Sequence, residues 1–244
     1  MNRVKAGIFS FTASDAGDHE TDYLRWHLLD HMPEQYQLPG IVLGSRWIAD
    51  GAYPGSCIAA HERFGDLRNV VNYLVGDNVE KTLQDFVRLG SQLREMGRFP
   101  HAKRPLQLAG PALLRAYAAP GAQISSEVVP FRPHRGIVLL VEEPTGDGNL
   151  DHWVQWLHAL HYPELVGRPG MAGAWMFGST RSWAVPAATW HTGPQYITVL
   201  YLDDDPLKAT ASLASLIEQR WASGAVRPLY AGPLRTMIAW EAWR

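Results

Sequence analysis

Tyr23-Leu24-Arg25-Trp26, then His31-Met32-Pro33-Glu34, then Leu38-Pro39-Gly40, is a stretch that this chain writes twice. The second copy is Trp153-Val154-Gln155-Trp156, His161-Tyr162-Pro163-Glu164 and Arg168-Pro169-Gly170, 130 residues further on. An apolar run precedes each copy, Gly7-Ile8-Phe9-Ser10-Phe11 in one and Gly136-Ile137-Val138-Leu139-Leu140 in the other, at an offset of 129. A later echo joins Arg104-Pro105-Leu106 and Ala109-Gly110-Pro111 to Arg227-Pro228-Leu229 and Ala231-Gly232-Pro233. Such a period far exceeds the roughly 20–50 residues of a solenoid unit, so the pattern reads as a duplicated domain.

Outward from these stretches, each half reads strand, helix, strand, strand, helix, strand. In the first half the strands are 6–12, 41–48, 70–75 and the segment ending at Tyr117. The helices begin at Asp22, a candidate cap, and at Val79. In the second half the strands are 136–141, 172–177, 196–202 and 236–243, with helices over 151–161 and 208–221. This is the split β-α-β pattern of a ferredoxin-like unit. The expected class is therefore α+β, with units at 1–119 and 134–244 and a Pro/Gly-bearing linker at 120–133. One face of each antiparallel sheet is left to bury. Setting the two sheets together buries both and predicts a closed or nearly closed barrel with helices outside and a central cavity.

Composition narrows the function. Hydrophobic residues make up 46% and charged residues 19% of 244, which suits a folded chain rather than a disordered one. A net charge of -2 gives no reason to expect nucleic acid or an anionic membrane. The single cysteine, Cys57, excludes an internal disulfide and a cysteine metal cluster. No signal peptide or long apolar span stands out, so a cytoplasmic location is expected. Nucleophile elbow, phosphate loop, dinucleotide fingerprint and HExxH are all missing. No metal, nicotinamide or flavin cofactor is therefore expected.

The candidate chemical residues cluster on the repeat. His31 and His161 are proton carriers by residue type, or else local helix-end groups. Glu34 and Glu164 could orient them or lie in solvent. His27, four residues before His31, raises a metal-site idea that has no counterpart at Leu157. Tyr73 and Tyr201, at matching strand positions, could donate to a developing oxyanion. Asn72 is a polar residue in an apolar strand. His191, with His61 as its nearest analogue, stands in a loop, where binding residues concentrate. Trp26, Trp156, Trp175 and Trp183 are candidate pocket walls or core rings. Asp205 reads as a helix cap.

The element order and the two His-x-Pro-Glu helix endings resemble the dimeric α/β-barrel superfamily, most closely its EthD-like branch, in a tandem form. That resemblance implies a pocket in each half between sheet and helices. It also implies a small aromatic or polyketide-like partner, and one chain doing what a homodimer does elsewhere, as a monomer or a further homodimer. It implies a cofactor-independent lyase, isomerase or cyclase using His31 or His161 as acid and base, with Tyr73 or Tyr201 on the oxygen. Asn72, His191, Glu34, Glu164 and the tryptophans would hold the substrate. A small aromatic-compound monooxygenase or haem-handling protein is the alternative, and a non-catalytic small-molecule binding protein the third reading.

Overall fold

The computed structural model describes residues 2–13, 20–101, 104–146, 148–178 and 190–237. Strand β1 (Ala6–Ala13) leads into a helix built in three parts: α1 (Glu20–Trp26), a π-helical turn (His27–His31) and α2 (Met32–Gln35). Strands β2 (Ile41–Ile48), β3 (Ala59–Ala60) and β4 (Leu67–Val75), helix α3 (Val79–Glu95), and strands β5 (Pro105–Ala109) and β6 (Ala112–Ala118) complete the first unit. The second unit runs β7 (Gly136–Pro144), α4 (Leu150–Trp156), a second π turn (Leu157–His161), α5 (Tyr162–Val166), β8 (Met171–Gly178), β9 (Tyr196–Leu202), α6 (Pro206–Gln219) and β10 (Val226–Thr236).

The caps explain several of the boundaries. Asn78, Asn149 and Asp205 each accept a hydrogen bond from the backbone N–H three residues on, which starts α3, α4 and α6. Asp22 is not a cap: α1 begins at Glu20, and Asp22 lies in its first turn, where a carboxylate suits the helix dipole.

The strands run β2-β4-β1-β6-β8-β9-β7-β10, and β10 returns to β2. β5 lies on β1, and the chain turns at Gly110-Pro111 so that β6 can cross to β8. One seam between the units is therefore β6–β8, from Ala112↔Gly178 to Ala118↔Gly173. The other is shorter, Arg235↔Ile48 and Thr236↔Trp47. Closure leaves helices on the outside. Among the described residues, no helix is long and apolar enough to cross a membrane.

The strand that closes the second unit's sheet on β7 is Val226–Thr236, at the Arg227-Pro228-Leu229 echo; the expected segment 236–243 lies, past 237, outside the described residues. Two expectations change. The barrel interior is packed rather than hollow. Phe9, Phe11, Trp47, Phe64, Trp175, Phe177, Tyr201 and Tyr230 fill it, each almost wholly buried. Eight strands leave an interior just wide enough for side chains, and large rings use that space. The first strands also match at 130, not 129. Ala6 pairs Val75 and Gly136 pairs Leu202, while Ile8 and Val138 both face the helices. A one-residue shift in a strand exchanges its two faces. So Tyr73 matches Leu200, not Tyr201.

Candidate functional site

The helix layers of the two units differ sharply. Both keep a π turn, in which Met32 N–H bonds His27 O and Tyr162 N–H bonds Leu157 O. The wider turn brings residues five apart onto one side. Trp26 therefore stacks on His31 at 5.1 Å, and Trp156 meets His161 in a tilted pair at 4.6 Å. Beneath that shared feature the side chains diverge. The first unit places His27, Gln35, Arg46 and Tyr73 against the sheet. The second places Leu157, Leu165, Met176 and Leu200 at the same positions, all fully buried.

Those four polar residues of the first unit carry unmatched hydrogen-bonding atoms. His27 Nδ1, Gln35 Oε1, Arg46 Nε and Nη1, and the Tyr73 hydroxyl are buried without a partner. A buried polar atom without a partner costs about 1–3 kcal/mol and calls for an explanation. Arg46 is the most telling. It is 6% exposed, its Nη2 donates to Asn69 Oδ1 at 2.9 Å, and its guanidinium lies 4.8 Å from the Tyr23 ring centroid. Asn69 in turn donates to Glu20 Oε1 at 3.0 Å. The nearest carboxylate in this chain of contacts thus meets an amide, and two of the three guanidinium nitrogens remain available.

The histidines around Arg46 are neutral. Burial, with Arg46 second and Arg98 third, lowers His31 to about 4. Burial first, then Arg46 and His31, drives His27 well below its ordinary value. Their rings meet edge-on at 5.1 Å. Phe99, from the segment after α3, closes on His31 at 4.8 Å and on Trp26 at 5.5 Å. Glu34 does not orient His31; it pairs with Arg98 at 2.6 Å and so ties that segment down. Glu164 forms an exposed pair with Arg168 one turn on.

In the second unit the corresponding layer is closed. Arg220 and Glu142 form a fully buried bidentate pair at 2.8 and 2.6 Å. Trp153 and Tyr162 cover the guanidinium at 5.5 and 5.4 Å, and Trp221 donates to the same carboxylate. His161 is 1% exposed, and burial, then Arg220, lowers it to about 3. It is a neutral ring enclosed by Trp156 and Tyr162, and both its nitrogens, like Arg220 Nη1, are buried without a partner. His158 bonds Tyr117 at 2.6 Å.

The other sequence candidates scatter. Asn72 faces the barrel interior and donates to Ile8 O, turned away from Tyr73. Tyr201 lies inside the barrel against Trp47 and His134. Trp175 is core, its Nε1 donating to Ser126 O. Trp183 lies outside the described residues. His61 caps a short turn through Arg63 N–H. His191 is a half-buried ring beside the sheet edge, its backbone N–H on Leu108 O and its Nε2 unmatched. Among the described residues no group of His, Cys, Asp and Glu has the arrangement to hold a metal ion. Sequence reasoning missed Arg46 and Gln35. It also missed His134, which accepts from Trp47 Nε1 and bonds Arg132 O, a fully used structural ring.

No protein-family model and no curated protein sequence matches the chain. Solved structures do. An anthrone oxidase-like protein superposes with a TM-score of 0.63 at 12% identity, over 96% of this chain and 92% of that one. A candidate chlorite dismutase gives 0.55 at 10% identity, over 97% and 96%. A candidate monooxygenase from Fusobacterium nucleatum subsp. nucleatum gives 0.52 at 10% identity, over 98% and 94%. The chain has the dimeric α/β-barrel fold. At these identities the likeness speaks to architecture and not to reaction.

That fold includes haem proteins, so the fit of a haem is a fair question. The second unit does not fit one: His161 is enclosed, and Leu157, Leu165, Leu200 and Leu216 fill the layer around it. The first unit sets the imidazoles of His27 and His31 beside Arg46, Gln35 and Tyr73, so a histidine ligand and polar partners are both present there.

Proposed function

We propose that the first unit is a cofactor-independent enzyme site that takes a proton from a small phenolic or enolisable aromatic compound. The observation that carries this reading is the buried Arg46, with unmatched Nε and Nη1, beside the neutral imidazoles of His27 and His31. A neutral imidazole accepts a proton, and a buried guanidinium stabilises the oxyanion that forms. His31 is the acceptor, being the less buried of the two. Tyr73 is a second donor to the oxygen. Trp26 and Phe99 hold the ring. Arg46 also tunes the base. Its charge lowers His31, and a ligand oxyanion on Arg46 cancels that charge, so His31 becomes a stronger base when substrate binds.

The anion formed has two fates. In an isomerisation or elimination it is reprotonated or expels a leaving group. In a monooxygenation it passes electrons to O2 and a C–O bond forms. Loss of water from the hydroperoxide, with the second C–H proton, leaves a carbonyl. Likeness to an anthrone oxidase-like protein and to a candidate monooxygenase favours the second fate. Oxygen uptake with anthrone-type phenols decides it. One O2 consumed per carbonyl formed, without added metal or flavin, supports oxygenation. Product without O2 uptake supports the lyase or isomerase reading, and no conversion of any enolisable phenol overturns both.

The division into units at 1–119 and 134–244 with a 120–133 linker, arising by tandem duplication, is part of the same proposal. So is placement beside the EthD-like branch, supported by the paired helix endings.

A further inference from the structure

The inward row of α3 runs Val79, Thr82, Leu83, Phe86, Gly90, Leu93, counted from the cap Asn78. The inward row of α6, counted from the cap Asp205, runs Pro206, Ala209, Thr210, Leu213, Ile217, Arg220. Twelve residues past each cap, Ile217 is fully buried in its layer, and Gly90 takes the same place in the other. A Cβ built at Gly90 would meet nothing within 4 Å. Helical spacing puts the position on the side of Phe86 and Leu93, and Gly90 is partly exposed, so this space opens to solvent. Glycine inside a helix costs about 1 kcal/mol against alanine, and no positive φ calls for it at this position. Phe86, one turn before Gly90, lies 5.5 Å from Tyr73, and Tyr73 feels the charge of Arg46. Polar groups and open space therefore share one layer.

We infer that Gly90 sets the length of ligand the first unit accepts: the oxygen end lies at Arg46 and the aromatic body extends under α3 into the space at Gly90. This rests on the site proposed above and names its substrate class further, as a fused-ring compound with an acidic oxygen at one end. Ile217 fills the matching place in the second unit.

The test is anaerobic binding, read by quenching of tryptophan fluorescence, so that no turnover is required. The probes are phenol, 2-naphthol and 1,8-dihydroxyanthrone. The variants are Gly90→Ala, Gly90→Ile and Arg46→Met, each checked by circular dichroism and melting. Gly90→Ile is expected to weaken the three-ring probe by about tenfold or more while leaving phenol within about twofold. Gly90→Ala keeps all three. Equal affinities for the three-ring probe in folded wild type and Gly90→Ile overturn the inference, as does an equal loss for phenol or failure of the wild type to bind any probe. Should Gly90→Ile alone be silent while Arg46→Met abolishes binding, the inference falls and the site stands. If Arg46→Met is silent, the site falls and the inference, which places the oxygen end at Arg46, falls with it.

Discussion

Arg46 is where the chemistry and the stability of this chain meet. A buried guanidinium with two unmatched nitrogens lowers stability, and an apolar side chain of similar length removes that cost. Met176 occupies the matching place in the second unit. Arg46→Met is therefore expected to melt no lower than wild type while kcat/KM falls by about 10²–10³-fold, the usual loss when an oxyanion donor is removed. Scanning calorimetry beside steady-state kinetics checks both halves of that statement. His31 gives a pH signature. Its folded value of about 4 lies below the ordinary 6.5, so the folded state binds fewer protons than the unfolded state between those values. Its contribution to stability is full above about pH 6.5 and is lost as pH falls toward 4. For the free enzyme, kcat/KM should hold level from neutrality down to about pH 5 and fall near 4. The kcat profile, which reports the complex, should break at a higher pH because bound oxyanion offsets Arg46. A kcat/KM break at 6.5 would remove His31 from the role of base.

At the scale of elements, the two helix layers share a frame and differ in the side chains beneath it. The π turn and its Trp–His ring pair persist in both units, so they belong to the architecture. The Arg220–Glu142 pair fills the layer of the second unit. Glu142→Gln leaves a buried guanidinium underpaired and should cost roughly 3–5 kcal/mol in urea unfolding, with little effect on catalysis. The contrast with Arg46→Met is informative, since the two changes act on the two layers in opposite directions. This is also the scale at which sequence reading succeeds and fails. The likeness of the two copies exposes the split β-α-β order, Trp26 and His31. It also draws attention to His161 and Tyr201, which are enclosed among core rings. Arg46 reads as one residue in the Gly44-Ser45-Arg46-Trp47 run of a strand. Its signal lies in the difference between copies, arginine against Met176 and His27 against Leu157, at the common offset. Tyr73 and Tyr201 look equivalent at an offset of 128, whereas the pairing matches Tyr73 to Leu200 at 127; facing alternates along a strand, so a slip of one is a change of side. The barrel interior was not legible as packed because a pattern of inward rings does not state how much space they leave.

For the whole molecule, the seams decide how the units behave together. β6 joins β8, and β10 joins β2, so each unit completes the other's sheet. The interior core draws rings from both, Phe9 meeting Phe177 at 5.1 Å and Trp47 meeting Tyr201 at 6.4 Å. Unfolding should then be one cooperative transition, with far-ultraviolet circular dichroism and tryptophan fluorescence coincident. Two separated transitions would mean that the units hold their cores independently. The barrel thus holds two similar frames, and the proposed site lies in the layer of the first. The most direct measurement is the stoichiometry of 1,8-dihydroxyanthrone binding by anaerobic isothermal titration calorimetry, on wild type and on Arg46→Met. One site per chain, lost in Arg46→Met, is the predicted result. Two equivalent sites per chain, or one site untouched by Arg46→Met, would contradict it.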